Sequence, residues 1–148
     1  MADRNPHTKT PAARLTAVEL PGRLDRLFAL TRLVLSAVED RHDYDGAMRA
    51  SMSDVQVSIT LLCRLHAEIN DAKGIDAIDK ESGCDWLRFG ALLGLLDAEA
   101  WRMVSETAEQ PPEDKLADLE HGLRQLVELA ERTLAAVRAI ETREVEHA

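Results

Sequence analysis

Residues suited to a helical packing seam recur in this chain at alternating intervals of four and three, and this spacing limits the fold more than any other feature. The two longest series are Met48, Met52, Val55, Ile59, Leu62, His66 and Ile69, and then Leu116, Leu119, Leu123, Leu126, Ala130, Thr133, Val137 and Ile140. Such spacing is the packing edge of a left-handed bundle or coiled coil. Aromatic residues, which strands favour, make up only 3% of the chain. The sequence therefore predicts an all-α fold.

Four amphipathic segments separated by turn residues predict four helices. Short connections favour antiparallel neighbours, so we predict an up-down-up-down four-helix bundle with a long C-terminal helix. The first 20 residues contain two prolines and several polar residues, which predicts a flexible N-terminal arm ahead of a single helical domain at 21–148. The predicted helices cover about 21–41, 46–72, 83–108 and 113–145.

Local signals set the expected helix ends. Asp43 or Asp45 is expected to cap the second helix, which ends at Lys73-Gly74 before a loop that reaches Glu81. Ser82 and Asp85 form an S-x-x-D pair that predicts the start of the third helix, and Pro112 is suited to open the fourth. Within the third helix, small residues at every fourth position predict a smooth face that a neighbouring backbone can approach closely: Gly90, Gly94 and Ala98.

The predicted helices are unequal in length, at roughly 50 Å for the fourth and about 30 Å for the first. A short first helix cannot cover the whole apolar face of the fourth. We therefore predict self-association, with a dimer favoured, and binding of a protein partner along that face. The residues predicted to form this interaction face are Leu126, Leu134, Val137 and Ile140.

The net charge of −9 is spread along the chain, which disfavours direct binding to nucleic acid. No apolar run approaches the ~20 residues that a membrane span needs, and no signal peptide is recognisable at the start. Two cysteines do not make a disulfide framework. The expectation is a soluble cytoplasmic protein that does not bind membranes.

Histidine spacing raises the question of a metal site. Glu39 precedes His42 by three residues, a step that aims two ligands at one ion in di-metal carboxylate bundles. Cys63 and His66 are the other candidates, although they supply only half of a zinc site. His66 is expected instead to be half-buried beside a partner such as Asn70. We predict neither a metal nor a cofactor.

No hydrolase elbow, phosphate-binding loop or dinucleotide fingerprint is present in the sequence. The regular seams, the long last helix and the acidic composition favour a non-enzymatic interaction protein with an accessory, adaptor or regulatory role. The first alternative is a metal-binding or redox helical bundle. The further alternative is an acidic nucleic-acid mimic that inhibits a DNA-binding protein.

Overall fold

The computed structural model of the protein describes residues 19–106 and 111–147. Within these ranges the chain is all-helical and has no strand, which confirms the predicted fold class. Residues 1–18 of the predicted arm and the predicted end of the third helix near Ala108 lie outside the described residues. The helices are α1 (Leu20–Glu39), α2 (Met52–Asn70), α3 (Ile75–Glu81), α4 (Asp85–Glu106) and α5 (Glu113–Glu146).

The start of α2 was predicted six residues too early. The helix begins at Met52, where Ser51 and Asp54 form a reciprocal capping box. The Asp43 carboxylate, expected as a cap, instead accepts hydrogen bonds from the backbone N–H groups of Asp45 and Ala47, each at 2.9 Å. This side chain closes a turn within the connection and does not begin the helix.

A short helix, α3, occupies most of the segment that was predicted to be a loop. Gly74 precedes it with φ of +99°, a left-handed conformation that glycine adopts without steric cost. Ile75 and Ile78 are buried on one side of α3, at the i,i+3 spacing of a helix face. Two isoleucines in a seven-residue helix among acidic residues were too weak a periodic signal to predict it.

The predicted Ser82–Asp85 cap of the third helix is wrong, because other groups hold the start of α4. The Asp79 carboxylate accepts a hydrogen bond from the Leu87 N–H at 2.9 Å. The Ser82 hydroxyl donates to the Asp79 carbonyl at 3.1 Å and therefore belongs to the preceding turn. Cys84 lies between the two helices with φ of +71°, which is unusual for a residue other than glycine.

Among the four long helices, α1 and α4 each pack extensively against α2 and α5. Glu99 and Asp85 of α4 lie near Lys115 and Arg132 of α5 respectively, so these two helices are antiparallel. Pro112 precedes α5 as its N-cap residue, as expected. Leucine is the commonest of the buried hydrophobic residues, and Phe28, Phe89 and Trp86 are buried with the leucines.

Candidate interaction surface

Glu39 and His42, the first predicted metal candidates, lie at the end of α1 and just beyond it. The Glu39 carboxylate accepts a hydrogen bond from Arg124 of α5 at 2.9 Å. His42 Nε2 lies 3.8 Å from the Glu113 carboxylate at the start of α5. Both side chains therefore take part in contacts that join the ends of α1 and α5.

Arg41 lies between these two residues and is buried, which the sequence analysis did not anticipate. Its guanidinium donates hydrogen bonds to the Val38 carbonyl at 2.6 Å, to Glu120 at 2.7 Å and to Glu113. The hydrogen bond with Glu113 raises the pKa of Arg41 and lowers the pKa of Glu113. The cluster is a set of charge-assisted hydrogen bonds that joins the residues after α1 to the start of α5.

Cys63 and His66, the second candidate pair, lie on α2 against the inner side of α4. The His66 ring stacks on Trp86 with ring centroids 4.4 Å apart, and its Nε2 is buried without a hydrogen-bond partner. Burial lowers the pKa of His66 and raises the pKa of the Cys63 thiol to about 11. Both groups are therefore uncharged at neutral pH. A protonated thiol is a poor nucleophile.

The expected hydrogen bond between His66 and Asn70 is absent from this part of the structure. Asn70 Oδ1 instead accepts a hydrogen bond from Trp86 Nε1 at 3.0 Å. Gly90 of α4 provides the space for the imidazole, because a Cβ on Gly90 would lie 2.5 Å from His66 Nε2. His66 is thus a packed ring in the α2–α4 contact.

The four metal candidates are not brought together as one set of ligands. In the described ranges, no group of three or more His, Cys, Asp or Glu side chains is placed to hold an ion. Cys63 and Cys84 are both free thiols.

The four predicted interaction residues lie on α5, but α3 packs against that helix and covers its far end. Ile78 of α3 lines the same groove as Val137 and Ile140. Leu126, Leu134 and Val137 are buried in the chain's own core, and Ile140 is partly buried. The start of α1, through Leu20, and the short helix α3 therefore both cover this end of α5 within the chain.

A different apolar surface is exposed, on the outer side of α4. Leu87, Leu95 and Trp101 are 65%, 70% and 51% exposed. At about 100° per residue, these side chains and the small residues between them lie within a strip roughly 120° wide. We call this strip the α4 face; its residues are Leu87, Ala91, Gly94, Leu95, Ala98 and Trp101, all exposed and none charged.

The α4 face continues onto α2. Val57 and Leu61, both exposed, line one groove with Trp101 between the two helices. Thr60 and Asp97 hold the helices together beside this groove through a 2.7 Å hydrogen bond. The exposed apolar surface thus spans two rigid elements.

The sequence contained a signal for the α4 face that was interpreted incorrectly. Gly90, Gly94 and Ala98 were predicted to admit a neighbouring helix inside the fold. Only Gly90 does so, through His66, whereas a Cβ on Gly94 would meet no atom within 4 Å. The other two small residues lie on the exposed strip beside Leu87 and Leu95, which were not in the predicted interaction set.

No helix in the described residues combines the length and apolar character needed to cross a membrane. No protein-family model matches the chain, and neither a curated protein sequence nor a solved structure matches it significantly.

Proposed function

We propose that the chain is a non-enzymatic interaction protein that self-associates and binds a protein partner, in an accessory, adaptor or regulatory role. Its scaffold, in this proposal, is an up-down-up-down four-helix bundle with α3 as an added cover. The observation that carries the proposal is the α4 face, an exposed and uncharged strip on a chain of net charge −9.

The physical argument is the cost of leaving this strip in water. Large contiguous apolar patches are uncommon on monomeric proteins, and they mark binding sites when polar residues surround them. Arg88 and Arg102 border the strip and are 63% and 54% exposed at their side chains. An apolar centre with a charged rim is the usual composition of a protein–protein interface.

The scaffold is suited to this role because the inner side of α4 is fixed. Trp86 and Phe89 stack with ring centroids 5.8 Å apart, and Phe89 meets Phe28 of α1 edge to face. The outer side chains therefore project from a helix that is held in place by its own core. A preorganised surface loses less conformational entropy on binding than a mobile one.

A photo-reactive phenylalanine analogue in place of Leu95 tests the proposal in the native cells of the protein. The matched control carries the analogue in place of Gln125, an exposed residue of α5. We expect discrete adducts from position 95 that disappear when Ala98→Glu is added, because a buried carboxylate opposes binding. The same adducts from both positions, or none from position 95, would contradict the proposal.

A further inference from the structure

We infer that the α4 face binds the α4 face of a second copy of this chain, antiparallel, around a two-fold axis at Gly94. The inference rests on the proposed function and names the partner. A two-fold interface requires one surface to be complementary to itself.

The α4 face is nearly symmetric about Gly94. Leu87 and Trp101 lie seven residues before and after it, about 10 Å along the helix in each direction. An antiparallel pair centred on Gly94 therefore places Leu87 of one copy beside Trp101 of the other, twice. At the centre, Gly94 and its neighbour Ala98 allow the two helix axes to approach closely.

Opposite charges lie beside the α4 face, before and after Gly94. Arg88 and Glu99 lie on the same flank of α4, only about 20° apart around the helix. They are six and five residues from Gly94, on opposite sides of it along the chain. A two-fold axis at Gly94 places the same flank of the two helices side by side, with the chains running in opposite directions. Arg88 of one copy therefore approaches Glu99 of the other. The two contacts are attractive and occur on the rim of the strip.

The net charge of the chain favours this surface for the approach of a second copy. Each copy has a net charge of −9, so most relative orientations bring acidic surfaces together. The α4 face has no acidic residue, and its rim presents opposite charges in the right order. Approach through this strip therefore avoids the repulsion that acts between acidic surfaces elsewhere.

Disulfide trapping at the axis tests the geometry directly. Gly94→Cys in a Cys84→Ala background places one thiol at the proposed axis, in space that is open in the single chain. Ala29→Cys in the same background is the control, on the exposed side of α1. We expect the Gly94→Cys chain to form a covalent dimer about tenfold faster, because the complex raises the effective thiol concentration. Equal rates would overturn the inference.

Mixing two charge variants tests the pairing. Arg88→Glu and Glu99→Arg each place like charges across the proposed axis, and each is expected to weaken its own dimer by about threefold. An equimolar mixture restores opposite charges at both contacts, so we expect predominantly mixed dimers of near wild-type affinity. A statistical mixture of dimers would overturn the pairing, and unfolding curves of the two variants check that each is folded.

The outcomes separate this inference from the function on which it rests. Adducts at position 95 whose mass is twice that of the chain support both. Adducts to a different protein, with no preference for the Gly94→Cys disulfide, overturn the second-copy inference and support the partner-binding part of the proposed function. If position 95 gives no adduct and the two disulfides form at equal rates, both fail.

Discussion

The far end of α5 and the outer face of α4 are both apolar, yet only one of them is covered. Leu134 of α5 is 8% exposed, whereas Leu95 of α4 is 70% exposed. The far end of α5 is packed by α3 and by the start of α1, whereas the outer side of α4 has no such neighbour in the described residues. An amphipathic pattern therefore shows that a face needs cover, but the cover itself depends on how the elements pack.

The largest expected effect compares one leucine from each region. Leu134→Ala removes buried methyl groups and is expected to lower the free energy of unfolding by about 2–5 kcal/mol. Leu95→Ala changes an exposed position and is expected to alter it by less than about 0.5 kcal/mol in the monomer. Urea unfolding at low protein concentration measures both. Equal losses of unfolding free energy in the two variants would contradict the difference in burial between Leu134 and Leu95.

A second change removes part of the cover over α5. Ile78→Ala is expected to destabilise the chain by about 2 kcal/mol and to expose apolar surface beside Val137. Binding of an environment-sensitive dye should rise with this variant, and it should stay unchanged with Lys80→Ala, an exposed control on the same helix. Unchanged dye binding by Ile78→Ala would show that α3 is not the cover.

Lowering the pH tests the inner side of α4, where His66 is packed. Burial lowers its pKa, so the unfolded chain takes up this proton first as the pH falls. The stability that the neutral ring contributes is complete above about 6.5, the ordinary pKa of histidine, and is lost below it. Urea unfolding at pH 7.5 and pH 5.5 should show this loss, and His66→Phe should reduce it.

Glu113 also titrates in acid, but in a lower range. The hydrogen bond with Arg41 lowers the pKa of Glu113. The contribution of Glu113 to the free energy of unfolding is therefore present at neutral pH and falls only as the pH drops below the ordinary pKa of glutamate. A loss of stability that His66→Phe leaves unchanged between pH 7.5 and 5.5 would contradict the assignment to His66.

The smallest expected effect concerns the turn before α4. Cys84 has φ of +71°, and a left-handed conformation costs a non-glycine residue roughly 1 kcal/mol. Cys84→Gly is therefore expected to raise the free energy of unfolding by up to about 1 kcal/mol. Thermal unfolding measures the change, and Cys84→Ala is the control that retains the Cβ. Equal stabilities for the two variants would show that the turn is not strained.

The long periodic segments were predictable because many residues follow the same apolar spacing. The start of α5 after Pro112 and its buried leucines followed from a seam of eight positions. The start of α2 was misplaced because Met48 continues the apolar spacing beyond Ser51, and a capping box of two side chains was overlooked. Local hydrogen bonds decide such boundaries, and a seam alone does not report them.

The candidate surface was harder to predict than the fold. Gly94 and Ala98 indicate that another helix can approach α4 closely. Their spacing does not show whether that helix lies inside the fold or on its outer surface. Knowing which side of α4 carries them requires the positions of α2 and α5, which long-range packing determines. The metal candidates failed to converge for the same reason, since spacing along one helix does not bring ligands from another.

The central claim is that the α4 face is the self-association surface. Light scattering over a concentration series measures it most directly, with the wild-type chain, Ala98→Glu and the exposed control Ala117→Glu of α5. We expect the wild type and the control to approach twice the 16.4 kDa chain mass, while Ala98→Glu stays at the single-chain mass. A wild type that remains at 16.4 kDa at every concentration, or a dimer that Ala98→Glu leaves intact, would contradict it.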